Sequence, residues 1–127
     1  MRTTWTTAAI VVLVAAVAAC GGDDDTGAGG SGDASSADTT VEVLAEDISF
    51  PQDVYEADAG SIGIVYENVG QIRHTLVIEG ESGFKLDVAG NGDVDEGVID
   101  LDPGTYTLIC DVPGHEPAGM VADLVVS

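Results

Sequence analysis

After Thr40 no segment of this chain keeps an apolar repeat of helical period; short β-prone runs are broken by turn signals instead. The breaks are Ala59-Gly60-Ser61, Asn68-Val69-Gly70, Gly80-Glu81-Ser82-Gly83, Gly90-Asn91-Gly92 and Asp102-Pro103-Gly104. Between them the pattern predicts strands over Val41–Ser49, Val54–Ala57, Ser61–Glu67, His74–Glu79, Gly83–Asp87, Val94–Leu101, Thr105–Cys110 and Met120–Val126. Alternation in Val41-Glu42-Val43-Leu44 and Thr105-Tyr106-Thr107-Leu108 gives such strands one buried and one wet face. The expected fold is all-β, an antiparallel sandwich of seven or eight strands around one core. Its core candidates are Val43, Ile48, Phe50, Ile62, Ile64, Tyr66, Leu76, Ile78, Phe84, Leu86, Ile99, Tyr106, Leu108, Val121, Leu124 and Val126.

The chain before Val41 has a different character. Met1-Arg2 is followed by an apolar stretch from Trp5 to Ala19 that ends in Val17-Ala18-Ala19 ahead of Cys20, the layout of an export signal over residues 1–19. The apolar stretch is shorter than the roughly 20 residues that a spanning helix needs. Small residues ahead of Cys20 resemble the lipobox of lipoproteins, which implies acylation of Cys20 and a membrane anchor. Without acylation the product is periplasmic or secreted. Residues 21–40 carry no large apolar side chain, so residues 20–40 are expected to form a disordered Gly/Ser/Asp tether ahead of a domain over 41–127.

Charge limits the partners. The chain holds 23 acidic residues against three Lys and Arg, one of which is Arg2. Nucleic acid and anionic lipid surfaces repel such a surface, whereas a basic protein suits it. The two cysteines, Cys20 and Cys110, form no Cys-x-x-Cys pair, which leaves zinc-ribbon and thioredoxin-type readings without support. A disulfide between them is open in an oxidising compartment, but each has a stronger local explanation.

That explanation for Cys110 is the stretch Tyr106 to Val121. Four residues separate Cys110 from His115, and four more separate His115 from Met120. A turn at Val112-Pro113-Gly114 lets these three side chains converge, and a fourth ligand must come from another strand. The other histidine, His74, opens the run His74-Thr75-Leu76-Val77-Ile78. A His₂Cys set with a weak axial Met describes a blue-copper electron-transfer site. Thiolate and imidazole serve Cu(II), thioether favours Cu(I), and a set acceptable to both states lets an electron enter and leave without bond breaking.

With these residues the domain resembles the cupredoxins of the plastocyanin and azurin kind. Asn68-Val69-Gly70 with His74 is similar to their first-histidine loop. Gly104-Thr105-Tyr106-Thr107-Leu108-Ile109-Cys110 with His115 and Gly119-Met120 is similar to their ligand loop. The resemblance implies a Greek-key β-sandwich and one type 1 copper per chain, with His74, Cys110 and His115 as equatorial ligands and Met120 as the axial one. It places Thr75 and Asp111 where relatives carry an Asn and a Ser or Thr that brace the site. The Thr75 hydroxyl is therefore expected to donate to Asp111. The backbone N–H groups of Thr75 and Val112 are expected to bond the Cys110 sulfur, which stabilises thiolate charge in the reduced state.

The function implied is single-electron transport between redox proteins outside the cytoplasm, by a monomer. Val112, Pro113, Pro117 and Ala118 are expected to form an apolar patch round His115, with Asp111 and Glu116 drawing in a partner with a basic docking surface. Copper binding and delivery is the alternative. An enzyme is not expected, because an oxidase or nitrite reductase needs further histidines and the chain has two.

Overall fold

The computed structural model describes residues 33–127, so the export signal, Cys20 and the tether up to residue 32 lie outside the described residues. Eight strands form two facing sheets: β1 (Thr39–Ala45), β2 (Val54–Ala57), β3 (Gly60–Asn68), β4 (His74–Ile78), β5 (Lys85–Val88), β6 (Val94–Leu101), β7 (Gly104–Ile109) and β8 (Val121–Val126). One sheet runs β1-β3-β6 and the other β2-β8-β7-β4-β5. A four-residue helix, α1 (His115–Ala118), lies between β7 and β8.

Two-residue periodicity builds both faces. Val41, Val43 and Ala45 of β1 and Ile62, Ile64 and Tyr66 of β3 point inward, and Leu76, Leu86, Leu108 and Leu124 meet them from the other sheet. Phe50 packs edge-on against Tyr66, with ring centroids 6.4 Å apart. Ile99 and Tyr106 are half-buried at the margin of this core.

The sheets are mixed rather than antiparallel throughout. β1 runs parallel to β3, and β2 runs parallel to β8. The chain leaves the first sheet after β1, contributes β2 to the second sheet, and returns as β3, and a connection of that kind delivers parallel neighbours. Alternation reports which face is buried and says nothing of which strand lies alongside.

Three further expectations are corrected. Residues 33–40, assigned by composition to the tether, belong to the domain: Asp33 caps a short 3-10 turn over Ala34–Ser36, Ala34 is buried, and β1 begins at Thr39. Ala34 lies against Gly63, where any Cβ would collide with it. Ile48 is 39% exposed and has φ 64°, because the first strand stops at Ala45 and a tight turn follows in which Glu46 N–H donates to the Ser49 carbonyl. Val121 is outward-facing at the start of β8.

The register positions the site. β7 and β8 pair Leu108 with Ala122 and Ile109 with Val121, so Cys110 and Met120 come next to each other where the strands part. β4 and β7 pair Val77 with Ile109, and the same register continued places Thr75 opposite Asp111.

Candidate metal centre

The loop from Cys110 to Met120 folds back on itself. Cys110 N–H donates to the Met120 carbonyl at 3.2 Å, His115 N–H to the Val112 carbonyl at 3.0 Å, and Met120 N–H to the His115 carbonyl at 3.1 Å. α1 is thus a single turn whose first residue, His115, is turned back toward Cys110. Left-handed backbone brackets it at Gly114 (φ 89°) and Gly119 (φ 116°), a conformation that costs a residue with a Cβ about 1–2 kcal/mol.

The Cys110 sulfur consequently lies 3.5 Å from His115 Nδ1. His74, the first residue of β4, approaches from the facing side, its ring centroid 5.1 Å from that of His115. One donor atom from each of His74, Cys110 and His115 lies within 4.8 Å of the others. Cys110, His74 and Met120 are fully buried, whereas His115 is partly exposed and gives the cluster its edge to solvent.

These residues fit a copper ion. A first-row metal sits about 2.0–2.3 Å from imidazole and thiolate donors, so donors around one ion lie within about 4.5 Å of each other, close to the spacing found here. Both ring nitrogens of His74 are buried without a hydrogen-bond partner, an arrangement that is unfavourable unless something else occupies them. His74 Nε2 is 3.8 Å from Asp47 Oδ1, beyond hydrogen-bond distance. Burial, and after it the nearby His115, lowers the His74 pKa against a weaker upward pull from Asp47, so the ring is neutral and able to ligate at neutral pH.

Two side chains to which the sequence alone assigned no role hold the loop ahead of His74 in place. Asn68, fully buried at the end of β3, donates from Nδ2 to the Ile72 carbonyl at 2.6 Å and accepts from Gly70 N–H at 2.9 Å, clamping the loop ahead of His74. Asp47, from the turn after β1, accepts from Gln71 N–H at 2.7 Å and from Ile72 N–H at 3.3 Å. Asn68 stood in the recognised loop motif. For Asp47, 27 residues ahead of His74, the sequence carries no local signal.

Thr75 and Asp111 form the expected brace, and do so twice over. The Thr75 hydroxyl donates to Asp111 Oδ1 at 2.6 Å and accepts from Asp111 N–H at 3.0 Å. Thr75 N–H donates to the Cys110 sulfur at 3.4 Å, and the Thr75 hydroxyl lies 3.6 Å from the same sulfur. The second N–H bond expected at the sulfur, from Val112, is not among its contacts. Besides Thr75 N–H, the sulfur's polar neighbours are the Thr75 hydroxyl and His115 Nδ1. Asp111 Oδ2 accepts from Lys85 Nζ at 2.8 Å, and this bond, then the one from Thr75, holds the Asp111 carboxyl below the usual carboxylate range.

The sequence model of the sulfocyanin (SoxE) domain matches residues 33–127, the same span that the structure describes. Among solved structures, sodium-dithionite-reduced auracyanin from the photosynthetic bacterium Roseiflexus castenholzii superposes with a TM-score of 0.63 at 19% identity, covering 72% of this chain and 98% of its own. Auracyanin B superposes with a TM-score of 0.62 at 23% identity, covering 78% of this chain and 96% of its own. At such identities the likeness establishes the fold. None of the curated proteins compared with the chain matches it significantly in sequence.

Proposed function

Because the chain belongs to the sulfocyanin (SoxE) domain family and is a cupredoxin, we propose that it is a blue copper protein that carries single electrons between redox partners outside the cytoplasm. The observation that carries this reading is the convergence of His74, Cys110 and His115 within 4.8 Å, with the fully buried Met120 paired to Cys110 through the backbone. His74, Cys110 and His115 would hold copper with Met120 as a weak fourth ligand, and the bound metal would supply a one-electron couple. The protein's own part is to keep the donors fixed while the charge changes. Cys110 and Met120 are tied at the mouths of β7 and β8, and His74 is tied through Asn68 and Asp47, so no ligand has to move.

Electrons would pass through His115, the ligand with an exposed edge. Pro113, Pro117 and Ala118 are exposed beside it, and Val112 is half-buried against the core. Asp111 and Glu116 border this patch in a strongly acidic chain, so the partner would present basic residues there. Cys20, if acylated, would anchor the domain to the membrane and leave it free to reorient on the preceding tether.

A copper delivery protein is the competing reading, and the closed four-residue ligand set argues against it. Cyclic voltammetry of the copper-loaded protein separates the two. A reversible one-electron wave with a stable Cu(II) form is expected; binding of Cu(I) alone would favour delivery.

A further inference from the structure

Arg73, directly ahead of β4, and Lys85, the first residue of β5, are the sole Lys or Arg among the described residues. Arg73 pairs with Asp87 and Lys85 with Asp111. The β4–β5 register sets Thr75 opposite Asp87, and the Thr75 hydroxyl bonds Asp111, so both ion-paired carboxylates flank Thr75. In a chain this acidic, both cations are spent on neutralising the neighbourhood of one residue.

That residue touches the candidate ligand. A continuous path runs from Lys85 Nζ to Asp111 Oδ2 (2.8 Å), from Asp111 Oδ1 to the Thr75 hydroxyl (2.6 Å), and from Thr75 N–H to the Cys110 sulfur (3.4 Å). The Lys85 and Asp111 side chains are 51% and 40% exposed, and an ion pair so open to solvent contributes little to stability. Its effect on the sulfur is different in kind. A carboxylate directly after Cys110 opposes negative charge on the thiolate, and the brace through Thr75 works only if that carboxylate is both fixed and compensated.

We propose that Lys85 is a positioning residue of the site: it fixes and neutralises Asp111, thereby holds Thr75 against the Cys110 sulfur, and so favours the reduced state. The inference rests on the copper reading given above. Reduction adds one electron, supplied by the redox partner, and these residues exchange no bond and no proton. The site's charge falls by one, and a fixed cation two hydrogen bonds from Thr75 stabilises that change.

Two readouts on the full folded domain test this, one with copper and one without. In the copper-loaded protein, Lys85→Met is expected to shift the reduction potential downward, since Asp111 then faces the sulfur uncompensated. Lys85→Arg should restore the wild-type potential, and Asp111→Asn, which keeps an acceptor for Thr75 while removing the negative charge, should shift it upward. In the metal-free protein, Lys85→Met should speed hydrogen exchange at the Thr75 amide several-fold relative to Leu76 and Val77, with rescue by Lys85→Arg. An unchanged potential and unchanged Thr75 exchange in Lys85→Met would overturn the proposal, as would exchange that rises equally at all β4 amides. A wild-type protein that forms no blue copper centre would overturn the copper reading instead, and the metal-free exchange would still decide whether the relay exists.

Discussion

Gly70 approaches Asp47 so closely that a methyl group at position 70 would run into the carboxylate. The contact shows how the first histidine is fixed from outside the cluster, by an aspartate that reaches over from the turn after β1. Asp47→Ala would release the Gln71 and Ile72 amides, which are exposed enough to find water, so the loss of stability should be small. The loss at His74 should be larger. Residues that orient a metal ligand are commonly worth about 10–100-fold in affinity, so a chelator-competition titration should show copper binding weakened by about tenfold or more. At this scale the candidate ligands stand out in the sequence because Cys, His and Met are rare here and fall at telling intervals. Asp47 does not, since one acidic residue among 23 carries no mark of the contact it will make.

Among the elements, the strands were legible and their neighbours were not. β2 (Val54–Ala57) and β6 (Val94–Leu101) begin and end where alternation and turn residues place them. The parallel pairing of β1 with β3 depends on β2 crossing to the other sheet, a decision made by the whole core. The turn over Ala34–Ser36 escaped notice because its residues are small and polar, the composition of a tether. Its anchor is a close approach: Ala34 packs on Gly63, in a gap that only a missing side chain leaves. Gly63→Ala should therefore lift the turn off β3 and destabilise the domain by about 1–3 kcal/mol, the usual cost of overpacking, as read by urea denaturation. A variant as stable as wild type would show that the Ala34 contact is not part of the fold's energetics.

For the molecule as a whole, acidity is the dominant property. With a formal net charge of −20 the folded state repels itself, and salt should raise its melting temperature by screening. Acid acts in two directions. Protonation relieves the general repulsion, but Asp87, held below the usual carboxylate range chiefly by its hydrogen bond from Arg73, behaves oppositely. A carboxylate with a depressed folded-state pKa contributes stability above its unfolded value, near pH 4, and loses it as pH falls through the lower folded value. Asp87→Asn should therefore be less stable than wild type at pH 6, with the difference gone by about pH 2. Chemical denaturation across that range measures it, and a difference independent of pH would mean that Asp87 acts by packing.

All three scales meet in the claim that His74, Cys110 and His115 form one copper site. The most direct test is the visible spectrum after addition of Cu(II) to the folded protein, recorded for wild type and for Cys110→Ala. A thiolate bound to Cu(II) gives an intense charge-transfer band that colours the protein blue. The account predicts that band at one copper per chain in wild type and its complete loss in Cys110→Ala. A colourless wild-type protein, or a blue band that survives the substitution, would contradict it.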